Sequence, residues 1–443
     1  MFTRRQIISL LVPLMLEQVL SGLMGIADTM MVTSVGDAAI SAVSSVDSIN
    51  TLVFQLLSAL AAGGVIVCAQ YLGRNELKRA NEAAQQVLIV SVGLAAAVTA
   101  ICVLFRRPLL NLIFGRVEDS VMEQAVNYFL ITALSYPFMA AQQTAAAAFR
   151  AAGHSAPPMA VAAVANLINV AGNAVMIFGL EMGVVGAALA TTVSRIMSAV
   201  VLLILMRNEG RPISFRNYRS IRFDRALAAT ILRVGVPTGV ENSMFQLGKL
   251  VVQSTVSTLG TAAMAAQAMT HILDLVECMP SQAIGVGLLT VAGQCMGAGR
   301  ADEARRYTKQ FCIISEVTLV AMSVLVISFT PFITRAAGMT AESAALTIDL
   351  LRIITVVKCL IWTLAFTLPN GMRAAGDVRF SATVSALSMW IFRVCGSWVL
   401  CRAFGVGLIG VWIAWFCDWG CRLIFYILRY RSGKWLNQRV LRE

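Results

Sequence analysis

Apolar runs of about 20 residues recur along the whole chain and are separated by short stretches rich in charge, glycine and proline. Each run is long enough to cross a hydrocarbon core of about 30 Å as an α-helix. The first run continues at full length, so no cleavable signal peptide is expected. The pattern predicts twelve membrane-spanning helices, at 9–34, 44–72, 86–105, 122–149, 156–179, 184–206, 229–258, 264–296, 310–333, 346–371, 378–401 and 405–428.

The composition places the chain among membrane proteins. Of its 443 residues, 58% are hydrophobic and 13% are charged, and the mean hydropathy is +0.77. Soluble domains carry about 45–50% apolar and about 25% charged residues. We therefore predict an all-α integral membrane protein. The ten cysteines lie mostly within apolar spans and are expected to be small hydrophobic residues without disulfides.

The net charge of +12 is distributed unevenly between alternate loops. One side of the membrane receives roughly 23 Lys and Arg residues and the other about five, and the richest loop is 207–225. By the positive-inside bias, both termini should be cytoplasmic, with the chain in the inner (cytoplasmic) membrane. This placement explains the basic charge without a nucleic-acid partner, and none is expected.

The sequence resembles itself at an offset of 224 positions. Pro13 then meets Pro237 and Glu17 meets Glu241, and about 68 residues align without a gap, with roughly a fifth of them identical. Further along, "FRAAG" at 149–153 meets "MRAAG" at 372–376. The offset there is 223. A nearly constant offset across six predicted spans indicates an internal repeat.

The repeat predicts two six-helix lobes. We expect an N-terminal lobe over 1–206, a basic cytoplasmic linker over 207–228, a C-terminal lobe over 229–430 and a cytoplasmic tail over 431–443. Because six is even, both lobes enter the membrane in the same orientation. They should be related by a pseudo-twofold axis along the membrane normal, as in parallel-repeat transporters. Two complete lobes in one chain suffice for a monomer.

Two carboxylates interrupt the first span, Glu17 and Asp28. Eleven residues are almost three helical turns, so both acids project from one face about 16 Å apart. Charges within spans usually face the protein interior and mark ion or substrate pathways. The acids either exchange ions with the aqueous phase or are permanently hydrogen-bonded to a neighbouring helix as structural groups.

The fifth and sixth spans offer neutral oxygen donors. Asn169 and Asn173 lie four residues apart, hence on one helix face, and Thr191 lies near the start of the sixth span. Amide and hydroxyl oxygens can coordinate a hard cation such as sodium together with a carboxylate. The same amides are equally suited to hydrogen-bonding between helices as packing contacts.

The second lobe contains its own polar cluster. Its members are Glu241, Gln246 and Lys249 on the seventh span, His271, Asp274 and Glu277 on the eighth, Lys358 on the tenth and Arg393 on the eleventh. The acids and cations form either a structural ion-pair network or a second titrating site. Neither a phosphate-binding glycine loop nor a nucleophile motif is present, so no enzyme activity is expected. No grouping of His and Cys residues suggests a transition-metal site, so none is expected.

Several segments together resemble the multidrug and toxic compound extrusion (MATE) family of the MOP flippase superfamily, and its DinF-like members in particular. They are residues 13–44, 67–76, 166–192, 235–250 and 291–300. The resemblance covers essentially the whole chain. It implies a twelve-helix, V-shaped antiporter that exports small organic cations or amphipathic drugs against inward sodium or proton flow, with no other cofactor.

The resemblance also implies a cation-coupling site. The family's principal carboxylate in the first span corresponds to Asp28, and its partners correspond to Asn169, Asn173 and Thr191. DinF-like members carry an acid where this chain has Asn173, which leaves the coupling ion, H⁺ or Na⁺, open. A lipid-linked oligosaccharide flippase of the same superfamily is the alternative, and the buried cations Lys249, Lys358 and Arg393 are the residues that favour it.

Overall fold

A computed structural model describes residues 1–115, 118–208, 210–215, 223–438 and 440–441. The remaining residues include part of the predicted linker (209 and 216–222), Arg116, Arg439 and Arg442, so the predictions on these positions lie outside the described residues. Contacts divide the chain into two compact units. We call Thr3–Gly239 the N-terminal unit, and Met1–Phe2 with Val240–Glu443 the C-terminal unit.

In its described residues, the N-terminal unit contains eight helices and the start of a ninth. They are α1 (Arg4–Thr33), α2 (Asp37–Gly73), α3 (Leu77–Leu104), α4 (Arg106–Phe114), α5 (Asp119–Leu134), α6 (Tyr136–Ala151), α7 (Ala156–Asn173), α8 (Gly183–Leu205) and α9 (Arg225–Ser257). A capping box between Thr3 and Gln6 starts α1. A π-helical turn, Ala174–Gly179, extends α7.

The part of the C-terminal unit that the structure describes contains the rest of α9 and seven further helices. They are α10 (Thr261–Gly297), α11 (Ala301–Ala336), α12 (Ala341–Phe366), α13 (Leu368–Ala375), α14 (Val378–Ser388), α15 (Gly396–Trp398) and α16 (Leu408–Arg431). The π-helical segments Met389–Cys395 and Val399–Ala403 flank α15 and make one long helical rod with α14. A buried aromatic cluster that includes Trp412, Trp415 and Trp419 fills this unit's core.

All twelve predicted spans fall on helices, and nine helical segments in the described ranges are long and apolar enough to cross a membrane. Two of the predicted spans are each divided into two helices. The helix over 122–149 breaks at Ser135, two residues before Pro137, and the helix over 346–371 breaks at Thr367, two residues before Pro369. Proline lacks the N–H that would continue the hydrogen-bond ladder, which explains both breaks.

The repeat is visible in the backbone. Helices α2 and α10 each contain 37 residues, begin 224 positions apart and follow glycines with positive φ, Gly36 at 125° and Gly260 at 96°. The offset grows from 223 to 224 within the α14 rod. The π-helical segment Met389–Cys395 lies in this rod, whereas α7, the equivalent helix of the N-terminal unit, is a regular α-helix. A π bulge holds one extra residue in a helical turn, which accounts for the change.

The boundary between the units lies within α9, later in the chain than the linker predicted over 207–228. The first part of α9 packs tightly on α2. A Cβ on Gly63 would lie 2.9 Å from the backbone nitrogen of Gly235, and a Cβ on Gly235 would lie 3.0 Å from the Leu60 side chain. Small residues permit this close backbone approach, as is common between membrane helices. This contact explains why the start of α9 belongs to the N-terminal unit.

Candidate functional site

Four predicted residues form one hydrogen-bonded chain across α1, α7 and α8. Asn173 Nδ2 donates to Asp28 Oδ1 at 2.7 Å and to Asn169 Oδ1 at 3.1 Å. Asn169 Nδ2 in turn donates to Thr191 Oγ1 at 3.1 Å. The structure therefore brings together Asp28, both amides and the hydroxyl that the sequence singled out. We call these four residues the Asp28 site.

Helix packing fixes the geometry of the Asp28 site. Asn169 and Asn173 are 3% and 1% exposed, while Asp28 is half-buried. Helices α7 and α8 approach closely, since a Cβ on Gly172 would lie 3.0 Å from that of Ala190. The Oδ1 atom of Asn173 is buried and accepts no hydrogen bond within the described part of the chain. Beside the Asp28 carboxylate, the site thus offers a second oxygen that is free to bind a proton donor or a cation.

A second carboxylate, which sequence reasoning missed, lies near the Asp28 site. Asp47 on α2 accepts hydrogen bonds from Asn50 at 3.0 Å and from the Tyr128 hydroxyl at 3.1 Å, and it interacts electrostatically with Asp28. Tyr136 donates to Asn50 Oδ1 at 2.7 Å and so supports this arrangement. Asp47 falls inside the predicted span 44–72, so the criterion that found Asp28 would also have found it.

Arg195 on α8 is a cation that interacts electrostatically with both acids, and it was also missed. Its Nη1 donates to Ser135 Oγ at 2.7 Å, at the break between α5 and α6. It interacts electrostatically with both Asp28 and Asp47, yet it forms an ion pair with neither at hydrogen-bond distance in the described structure. The two acids and one Arg leave this region with a formal charge of −1 when both acids are ionised.

Glu17 does not share the environment of Asp28. Its Oε1 lies 2.5 Å from Arg150 Nη2 on α6. In the C-terminal unit, the equivalent Glu241 accepts two hydrogen bonds from Arg373 on α13, at 2.7 and 2.9 Å. Both arginines belong to the repeated "RAAG" motif. The same ion pair therefore occurs once in each unit, which supports the structural interpretation of Glu17.

Lys358 lies at the centre of the polar cluster of the C-terminal unit. Its ammonium is fully buried and lies 2.5 Å from Asp274 Oδ1 and 2.6 Å from Glu277 Oε2. Ser323 and Thr355 also donate to Glu277, at 3.3 and 3.4 Å. The predicted acids Asp274 and Glu277 are thus neutralised in part by the predicted cation, as the ion-pair interpretation expects.

Arg393 belongs to a separate buried group. Its Nη2 lies 3.0 Å from Asp418 Oδ2, and Arg422 Nε lies 2.8 Å from Asp418 Oδ1. Ser388 donates to the same carboxylate at 2.6 Å. Sequence reasoning missed Asp418 and Arg422 although they lie four residues apart within the predicted span 405–428. One acid between two arginines leaves this group with a formal charge of +1.

Lys249 forms no ion pair within the described ranges, and its ammonium lies 5.1 Å from the centre of the Phe245 ring. The Arg393 guanidinium lies 5.0 Å from the same ring, so both cations flank Phe245. His271 packs edge-on against Trp415 with ring centres 6.3 Å apart. Gln246, on the same helix as Lys249, is half-buried. Within the described chain, no three His, Cys, Asp or Glu side chains are grouped to hold a metal ion.

Comparison with known proteins identifies the family. The MatE family model matches residues 13–175 and again residues 237–399, at the 224-residue offset of the repeat. The chain belongs to the MatE family. Membership confirms the predicted resemblance, the two-lobed all-helical membrane fold and the absence of enzyme activity.

Full-length relatives support the family assignment. The chain is 27% identical over 447 residues to the probable multidrug resistance protein NorM of Thermotoga maritima, covering 99% of this chain and 94% of that protein. It is 25% identical over 437 residues to the uncharacterized transporter YisQ of Bacillus subtilis, covering 97% and 94%. A multidrug resistance MATE transporter solved in the outward-facing conformation has the same fold, with a TM-score of 0.89, 18% identity and coverage of 97% and 94%. This MatE chain is a multi-pass membrane transporter.

Proposed function

We propose that this MatE chain is a cation-coupled antiporter that exports organic cations or amphipathic drugs from the cytoplasm by alternating access. The observation that carries the proposal is the hydrogen-bonded Asp28 site, in which a half-buried carboxylate has only neutral direct partners among the described residues. Ionisable groups in such positions usually mark ion pathways. The relative from Thermotoga maritima, named a probable multidrug resistance protein, agrees with drug export.

The Asp28 site gives the coupling step a simple mechanism. Ion binding at Asp28 removes its negative charge and changes its bond to Asn173, which is held on α7. Because α1 carries Asp28, the change shifts α1 relative to α7 and releases a cationic drug attracted by the carboxylate. The drug and the ion then occupy the transporter alternately, as antiport requires. With the termini in the cytoplasm, as the charge pattern predicts, export follows an inward ion gradient.

The hydrogen-bond pattern favours a proton over sodium as the coupling ion. Among the described residues, Asn173 Oδ1 accepts no hydrogen bond, while Asp28 Oδ1, Asn169 Oδ1 and Thr191 Oγ1 each accept one. A proton needs only one carboxylate oxygen of Asp28. Sodium prefers several oxygen ligands, so Asn169 Oδ1 and Thr191 Oγ1 would have to coordinate it beside their present hydrogen bonds.

Transport of ethidium, a fluorescent organic cation, tests the proposal in proteoliposomes with pH and sodium gradients imposed separately. We expect the pH gradient to drive ethidium transport by the wild type, and the Asp28→Asn variant to fall to the rate of protein-free liposomes. Asp349→Asn removes an exposed acid paired only with Arg352 and serves as the matched control. Transport by Asp28→Asn at the wild-type rate would refute the role of Asp28. Transport driven by sodium alone would refute the proton.

A further inference from the structure

In the described residues, the C-terminal unit contains several buried hydrogen-bond donors without an acceptor. Arg393 Nε, Trp415 Nε1 and Trp419 Nε1 are buried and have no acceptor in the part of the chain that the structure describes. Arg393 is 2% exposed, Trp415 is 4% and Trp419 is 2%. A buried donor without an acceptor costs about 1–3 kcal/mol, so such groups commonly indicate a missing ligand.

Four cationic or donor side chains lie around two aromatic rings. The Arg393 guanidinium lies 4.1 Å from the centre of the Trp415 ring, and His271 packs edge-on against the same side chain. The Nδ1 atom of His271 has no hydrogen-bond partner among the described residues. Lys249 shares the Phe245 ring with Arg393 and interacts electrostatically with both Arg393 and His271. Lys249 and His271 are half-buried, so this group has an accessible side. We call Lys249, His271, Arg393 and Trp415 the Lys249 cluster.

Among the described residues, the acids of the unit leave Lys249 without an ion pair. Asp274 interacts electrostatically with Lys249 and His271, but its carboxylate pairs with Lys358, as does Glu277. Asp418 is shared between Arg393 and Arg422. The three N–H donors of Lys249 therefore have no anionic acceptor among the described residues.

We propose that the Lys249 cluster binds the anionic group, a carboxylate, sulfonate or phosphate, of an amphipathic organic substrate. A flat, charged guanidinium and an ammonium, 5.0 and 5.1 Å from the centre of the Phe245 ring, suit a multi-oxygen anion, and the indole N–H adds a neutral donor. Phe245 and Trp415 provide apolar surface for the rest of such a molecule. This inference rests on the proposed transport function and extends its substrates from simple cations to zwitterionic and anionic amphiphiles.

Binding of 8-anilinonaphthalene-1-sulfonate tests this inference, measured by energy transfer from tryptophan on the full chain in phosphatidylcholine nanodiscs. N-phenyl-1-naphthylamine, which lacks the sulfonate, is the neutral matched probe. We expect Lys249→Met to weaken sulfonate binding by about tenfold or more, since a hydrogen bond to a charged group is lost. Binding of the neutral probe should not change. Lys249→Arg keeps the charge and should retain affinity, and Lys309→Met, at an exposed position, is the control.

Equal sulfonate binding by the wild type and Lys249→Met would overturn the inference, as would equal losses for both probes. Nanodiscs containing phosphatidylglycerol separate a substrate site from a lipid headgroup site. Unchanged sulfonate affinity supports a substrate site, while displacement of the probe by the anionic lipid overturns it. The assay needs no ion gradient, so a failure of ion coupling at Asp28 would leave its result unaffected.

Discussion

At the offset of 224 residues, the Asp28 site and the Lys249 cluster occupy overlapping positions of the repeat. Asp28 corresponds to Val252, Asn169 to Arg393 and Thr191 to Trp415. The N-terminal unit thus presents a carboxylate with neutral hydrogen-bond partners, and the C-terminal unit presents a guanidinium beside an indole. The same helical framework supports opposite electrostatic environments in its two units.

The acids of the two units also differ in what neutralises them. In the N-terminal unit, Asp28 and Asp47 lack an ion pair at hydrogen-bond distance in the described structure, so an external cation can bind. In the C-terminal unit, Lys358 supplies a built-in cation to Asp274 and Glu277. An external cation can neutralise the first pair of acids, whereas Lys358 already neutralises the second pair in part. We therefore place the proposed ion coupling in the N-terminal unit, although the two units share one repeat.

Removing the built-in cation should have the largest effect on stability. We expect Lys358→Met to destabilise the protein by about 3–5 kcal/mol, because it leaves two buried carboxylates without their partner. The melting temperature in detergent measures the loss. The triple variant that adds Asp274→Asn and Glu277→Gln should recover most of the loss, because none of these three positions then carries a charge. An unchanged melting temperature in Lys358→Met would contradict the ion-pair interpretation.

Adding a carboxylate to the Asp28 site should sharpen the contrast between the units. Asn173→Asp places a second acid within 2.7 Å of Asp28 Oδ1, at the position of the present amide. Two carboxylates attract a hard cation more strongly than one. We expect the sodium gradient to drive ethidium transport by this variant at a rate about tenfold above the wild-type rate under the same sodium gradient, because the added carboxylate strengthens sodium binding. The proteoliposome assay with separate gradients measures it.

The corresponding change in the C-terminal unit is the control. Ser397→Asp alters the position equivalent to Asn173, where neither Asp28 nor the amide chain is present. It should leave the sodium dependence unchanged. An equal gain of sodium-driven transport in both variants would show that the coupling does not depend on the Asp28 site.

The sequence predicted the helices and the repeat, because periodicity and a constant offset are local or self-comparing signals. The grouping of Asp28 with Asn169, Asn173 and Thr191 came instead from the resemblance to the MATE family. The sequence did not predict the partners that come from distant helices. Arg150, Arg373 and Asp418 were recognised only when the fold brought them to Glu17, Glu241 and Arg393. Pairing across helices depends on tertiary packing, which no spacing along one helix records. The breaks at Ser135 and Thr367 were missed for a different reason, since hydropathy does not register a loss of hydrogen bonds before proline.

The repeated ion pair allows the smallest and most direct comparison of the units. Glu17→Gln and Glu241→Gln each remove one charge-assisted interaction with an arginine, at positions where the acids are 14% and 10% exposed. We expect each to lower the free energy of unfolding by about 1–3 kcal/mol. The loss should be larger for Glu241, which accepts two hydrogen bonds from Arg373, than for Glu17, which accepts one from Arg150.

Melting temperatures and ethidium transport, measured on the same variants, decide what this pair does. Glu181→Gln changes an exposed acid and is the control. If both variants melt earlier but transport per folded molecule is unchanged, the pair holds α1 to α6 and α9 to α13 as shared architecture. If Glu17→Gln stops pH-driven transport while Glu241→Gln does not, Glu17 acts together with Asp28. In that case the acidic face of α1 functions as a unit, and the difference between the two units extends beyond the Asp28 site to a position that the repeat itself conserves in residue type.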